Sequence, residues 1–345
     1  MRRSLGLAGL LCASLLLVSC AASQPSGATS DAASPVFQHA VETTEKPWTH
    51  ANFDNAPGKF TFALFSDLTG GEREGIFEVA IAQLNLLRPE LVMSVGDLIE
   101  GGTTNPVQLE AEWDSFDLRA DKARAPVFYT GGNHDLTNPE MWALWDQRYG
   151  QRYYHFVYKD TLFLVMDTED NTAEFQWELS RIRDEAIAII DEQGWDALPD
   201  TAYGKSIERK TGRISQGQAS YFREVIKKNA DVKHTFILMH KPVWERSDEE
   251  NFATVESALK GRPYTVFYGH VHSYLHEMRH GRDYIRLGTT GGVQNPTKAM
   301  AIDHVTLVTV SDQGVDIANL RMSGIFDKTG GIPAGGDNLC FQDCQ

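Results

Sequence analysis

Five short apolar runs, each cut off by an acid, an amide or an imidazole, constrain this 345-residue chain more than any other feature. Residues 59–66 run into Asp67, 91–95 into Gly96-Asp97, and 126–129 lead to Gly132-Asn133-His134-Asp135. Further on, 234–239 end at His240, and 265–268 at Gly269-His270-Val271-His272. Runs this short and apolar suit strands buried on both faces. Helix patterns intervene at about 72–87, 106–120 and 139–149, so strand and helix alternate. That alternation specifies an α/β fold in which polar side chains gather where the strands end.

The remaining pattern extends the same body. Two strands, 153–158 and 161–166, join at Lys159-Asp160. A helix pattern covers 176–193, a polar, turn-rich stretch with Trp195 and Tyr203 covers 194–213, and another helix covers 216–229. Strands resume at 234–239, 265–268, 271–277, 284–287, 305–310 and 315–319. We therefore expect one domain over 59–320, decorated on one rim by an insert at about 171–214, and a tail over 321–345.

The amino terminus carries an address. Arg2 and Arg3 precede an apolar stretch, 5–18, that is too short to span a bilayer comfortably and ends in Leu17-Val18-Ser19-Cys20. The stretch reads as a signal peptide, 1–19, and its end resembles the bacterial lipobox. The resemblance implies a lipidated Cys20, a lipid anchor and a periplasmic location, with Ala21 resembling outer-membrane sorting. An ordinary secretory leader is the alternative. Residues 20–58 begin with an Ala/Ser/Pro/Thr-rich stretch and read as a tether and lead-in segment. In an export compartment Cys340 and Cys344 are free to pair as a structural staple of the tail.

Strand-end carboxylates are costly to bury unless paired or metal-bound, and imidazoles beside them suit Mn, Fe or Zn. The ordered motifs, from about Phe60 to Gly292, resemble the calcineurin-like metallophosphoesterase superfamily. That resemblance implies a four-layer α-β-β-α sandwich and two divalent metal ions. Asp67 and His272 would serve one ion, Asp97 would bridge both, and Asn133, His240 and His270 would complete the second. His134 would be the acid that protonates the leaving oxygen, with Asp135 orienting its ring. A water between the ions would attack a phosphate mono- or diester without a covalent enzyme intermediate.

The chain departs from the family at Asp67-Leu68-Thr69, where most members place a metal-binding His at the Thr69 position. Purple acid phosphatases also lack that His and use a Tyr three residues after the bridging Asp, a position held here by Glu100. Glu100 is thus a candidate metal ligand, the alternative being a rim carboxylate. Arg73 and Lys241 are candidates for contact with a small phosphorylated substrate, the alternative being solvated cations of the loop ends. Trp177, Trp195, Tyr203 and Trp244 are candidates to line its pocket, or plain structural aromatics.

Other chemistries fare worse. His276-Glu277-Met278-Arg279-His280 matches the zinc-protease pattern H-E-x-x-H, but the segment reads as two strands around Gly281 rather than as a helix. No G-x-S-x-G elbow or phosphate-binding loop of the Walker type occurs. The formal charge of −15 argues against bulk nucleic-acid binding. The main rival is an inactive lipoprotein that binds a metal or anion on the same scaffold.

Overall fold

The computed structural model describes residues 37–51 and 59–342. The expected leader, the lipidation site Cys20 and the tail cysteine Cys344 lie outside the described residues. Cys340 is disulfide-bonded.

Elements follow in the order β1 (Gln38–His39), β2 (Phe60–Phe65), α1 (Ile76–Leu87), β3 (Leu91–Ser94), α2 (Pro106–Ala120), β4 (Val127–Phe128) and α3 (Pro139–Tyr149). Next come β5 (Tyr154–Tyr158), β6 (Thr161–Val165), α4 (Ala173–Gln193), α5 (Ala202–Lys205), α6 (Gln216–Lys228) and β7 (His234–Leu238). The chain closes with α7 (Asn251–Ala258), β8 (Tyr264–Tyr268), β9 (Leu275–Arg279), β10 (Arg282–Arg286), β11 (His304–Ser311) and β12 (Gly314–Arg321). Local chemistry sets several starts. Asn105 and Asn138 cap α2 and α3, each followed by proline at the first helical position, and Thr172 and Ser215 cap α4 and α6.

Two sheets result. One has the order β12-β11-β2-β3-β4, the other β1-β5-β6-β7-β8-β10-β9. Strands β2, β3 and β4 are parallel, as are β6, β7, β8 and β10. Phe62, Leu64, Met93 and Phe128 of the first sheet meet Phe156, Phe163, Phe236 and Phe267 of the second in one buried cluster. The other face of the first sheet carries α1, α2 and α3, and that of the second carries α6 and α7. This is the four-layer α-β-β-α sandwich, its faces buried because each sheet is covered on both sides.

Three local features depart from the sequence reading. Helix α7 is unforeseen, because eight residues give too few turns for a clear apolar period. Part of the lead-in segment joins the fold: β1 pairs with β5, and Trp48 packs between Phe37 and Phe128. The strand expected at 271–277 begins only at Leu275. His270 and His272 have φ of 74° and 55°, which no strand accommodates.

That shift also disposes of the protease pattern. His276 lies on edge strand β9 with its Nε2 2.7 Å from Asp283, while His280 sits past the strand end at φ 53°. Four residues span roughly 13 Å along a strand, against about 6 Å on a helix, so the two rings have no common ligand position. Among the described residues they belong to no potential metal cluster.

Candidate metal centre

The parallel strands of both sheets deliver their carboxyl ends to one place. Asp67 follows β2, Asp97 follows β3, Asn133 and His134 follow β4, His240 follows β7, and His270 follows β8. Backbone bonds knit these ends together: Asp67 N–H donates to Gly96 C=O at 3.1 Å, and Gly269 N–H to His240 C=O at 3.0 Å. Asp67, Asp97, His270 and His272 all have positive φ. Non-glycine residues in this region are strained and tend to cluster at functional sites. Gly132 must be glycine for a plainer reason, since a Cβ there would lie 2.3 Å from Asp97 Oδ1.

Two groups of ligand atoms emerge, Asp67-Asp97-His272 and Asp97-His240-His270, each within 4.8 Å of one another. Asp97 belongs to both. The fit to two divalent ions is chemical as well as geometric, because hard carboxylate oxygens and borderline imidazole nitrogens together suit first-row ions. Backbone carbonyls orient the rings. His240 Nδ1 lies 2.9 Å from Val95 C=O and His272 Nδ1 2.6 Å from Val293 C=O, leaving each Nε2 directed at a carboxylate. His270 is held the other way round, its Nε2 2.7 Å from Arg209 C=O. Such outer partners fix ring orientation and tautomer in metal sites.

Electrostatics follow from the crowding. Burial would raise the Asp97 carboxyl, but His240 and His134 beside it hold it well below the usual carboxylate range. Burial likewise works against charge on His240, and Asp97 overrides it, lifting the ring to about 9. Burial and the nearby Lys241 push His270 far down, so it is a neutral imidazole, the form that binds a metal.

The other expected residues are placed as follows. Asn133 Oδ1 is 3.1 Å from His240 Nε2, at the second group. His134 donates its backbone N–H to Asp97 Oδ1 at 2.9 Å, and its ring Nδ1 lies 2.7 Å from Glu100 C=O. Thr69 turns away from the centre, its hydroxyl donating to Ile99 C=O at 2.8 Å. The Glu100 carboxylate, expected as a ligand, is in neither group and accepts N–H bonds from Gly70, Gly71 and Glu72. The preference is physical: three convergent backbone donors satisfy a half-exposed carboxylate.

Three expectations change. Asp135 does not bond the His134 ring; its oxygens accept from Leu98, Ile99 and Gly132 N–H, clamping the Asp97 loop to the Asn133 loop. The ring is steered by Glu100 C=O instead. Lys241, expected at the substrate, is buried and pairs with Glu169 at 2.8 Å, while also donating to Glu208 C=O. A buried ammonium must be paired, and Glu169 supplies the pair. Arg73 is likewise committed, to Asp303 at 2.6 Å and to the carbonyls of Gly292 and Cys340. It ties the first loop to the tail.

Among the aromatics, Trp244 packs against Tyr268 and Tyr284, Trp195 is exposed, Trp177 is partly so, and Tyr203 lines a small cavity beside Asn133. Sequence reasoning missed Glu169, Arg183 and the carbonyls of Val95, Val293 and Arg209. A carbonyl carries no side-chain signature and Arg183 lies inside a helix, whereas Glu169 follows the 161–166 run and was passed over.

Comparison with known proteins agrees with this architecture. The family described as calcineurin-like phosphoesterase matches residues 60–274. No curated protein matches the chain. Among solved structures, a dimetal phosphatase from Danio rerio is similar at 16% identity and a TM-score of 0.53, with 76% of this chain and 96% of that one covered. A purple acid phosphatase from yellow lupin (Lupinus luteus) seeds is similar at 13% identity and a TM-score of 0.53. That match covers 78% of this chain and 53% of the lupin protein. At such identities the two structures speak for the fold alone. The family match extends over more than half the sequence and includes every strand end from Asp67 to His272, and the chain belongs to the calcineurin-like phosphoesterase family.

Proposed function

We propose that the protein hydrolyses phosphate esters with the help of two divalent ions. Asp67, Asp97 and His272 hold one ion, and Asp97, Asn133, His240 and His270 hold the other. The observation that carries this reading is Asp97's membership of both ligand groups. Ions held there would supply Lewis-acid stabilisation of phosphoryl charge and a water activated near neutral pH.

His134 serves the leaving group. With Nδ1–H donated to Glu100 C=O, Nε2 is the nitrogen left to carry and deliver a proton. The Glu100 carboxylate lies 3.9 Å from the same Nδ1. Asp135 keeps the two loops in register, which fixes His134 and Asn133 relative to Asp97. Thr69 leaves the first group with three side chains, so that ion is the more weakly held.

The test is metal stoichiometry on a soluble fragment beginning after Cys20, purified without a metal-affinity tag and analysed by elemental mass spectrometry. After repletion with Mn, Fe and Zn we expect close to two ions per chain and hydrolysis that a chelator removes. One ion, with the second lost on dialysis, would confirm the weakness at Thr69. None would remove the hydrolase reading in favour of an anion-binding protein on this scaffold.

Export and lipid anchoring accompany this reading. They rest on the leader and the Leu17-Val18-Ser19-Cys20 sequence, and the disulfide at Cys340 is in keeping with an oxidising compartment. No helix among the described residues is long and apolar enough to cross a membrane. In a bacterial host the full chain should fractionate with membranes, and Cys20→Ser should prevent lipid labelling and release it. Unchanged labelling in the variant would exclude Cys20 as the anchor.

A further inference from the structure

Helix α4 presents Gln176, Leu179, Ser180 and Arg183 at the spacing of one inward face, and the first three are buried. Arg183 therefore stands where an apolar residue would ordinarily pack. Its side chain keeps only 14% of its surface exposed. Among the described residues its guanidinium makes no hydrogen bond, and its nearest carboxylate is the exposed Asp184 next to it in the chain, at 3.9 Å. A solvated pair of that kind contributes little. By contrast Arg181, on the outer face of the same helix, pairs with Glu178 and Glu185.

Arg183 also lies at the metal centre's edge. It lines one cavity with Asn133, Thr137, Lys241 and Tyr203. On the other side its Nη1 is so close to Gly102 that a Cβ there would sit 2.2 Å away. Within the cavity Lys241 is neutralised by Glu169, so Arg183 contributes the unmatched charge. A sheltered fork of N–H donors without an acceptor is a site for an oxyanion.

We infer that Arg183 binds a non-bridging phosphoryl oxygen and makes the centre selective for phosphomonoesters. The inference rests on the phosphoester reading above. A monoester offers three non-bridging oxygens and close to two negative charges, whereas a diester offers two oxygens and one charge. The third oxygen is what a guanidinium beside the metal ligands can recognise. The insert over 171–214 thereby acts as a specificity element, bringing Arg183 and Tyr203 to the cleft.

The experiment compares wild type with Arg183→Gln and Arg183→Lys in the metal-loaded protein. Inorganic phosphate binding is measured by calorimetry, and p-nitrophenyl phosphate is compared with bis(p-nitrophenyl) phosphate as substrate. Arg183→Gln should weaken phosphate binding about 10- to 100-fold, the range for a charge-assisted hydrogen bond, with a matching fall in monoester kcat/KM. Diester hydrolysis should fall clearly less than monoester hydrolysis, and Arg183→Lys should recover part of the phosphate affinity. Equal losses on both esters, unchanged phosphate binding, or a wild type that binds no phosphate would overturn the inference. If wild type hydrolyses neither ester, the hydrolase reading fails, and the phosphate titration alone then decides the role of Arg183.

Discussion

Asp97→Asn will hold fewer than one ion per chain and lose measurable phosphoesterase activity. Asp97 is shared by both ligand groups, so removing its charge weakens two sites at once. Loss of an outer-sphere partner typically costs 10- to 100-fold in metal affinity, and loss of the shared ligand should cost at least about 100-fold. The substitution is isosteric and keeps an oxygen to accept the His134 N–H, so the loop geometry has no reason to collapse. Elemental analysis after dialysis, with circular dichroism to verify folding, gives the answer. A folded variant that still retained two ions would show that Asp97 does not connect the sites.

His134→Ala should separate substrates by their leaving groups. Positioned proton donors typically contribute 10²- to 10⁴-fold, so kcat on an alkyl phosphate should fall by about that range. Nitrophenolate departs without protonation, and its ester should lose far less, about tenfold or under. The bond from residue 134's N–H to Asp97 survives in the alanine variant, so the metal content should hold. Equal losses on alkyl and aryl esters, or loss of metal, would refute a proton-donating role.

Much of the candidate centre was legible in the chain because its candidate ligands follow a one-dimensional rule. A short apolar run followed within a few residues by Asp, Asn or His names a strand and the group it delivers. Asp67, Asp97, Asn133, His240 and His270 were found that way, and the structure brings them together. Lys241 and Arg73 show where such reading stops. Both sit beside strand-end motifs and were expected at the substrate. Their partners, Glu169 and Asp303, are distant in sequence or belong to another element, and they cancel the charge. Asp135 adjoins His134 in sequence, yet its carboxylate points back to Leu98 and Ile99.

Arg183 illustrates the opposite error. As one of several charged residues on a long helix it carries no motif, and a helical projection marks it only as misplaced on the inner face. The meaning of that misplacement depends on Asn133 and Lys241 lining the same cavity, which no spacing announces. The same holds for the carbonyls of Val95, Val293 and Glu100, which decide how His240, His272 and His134 present their nitrogens.

The four-layer sandwich was implied by the family resemblance, while sequence alone determined the alternation of strands and helices and which acidic, amide and imidazole residues stand at the strand ends. The latter are written in local periodicity, where burial imposes a pattern on consecutive residues. Tertiary structure decided which charges are already paired, which carbonyl holds each ring, and which cation faces the cleft uncompensated. Those outcomes depend on distances between segments far apart in the chain, and electrostatic partnership depends on distance in space.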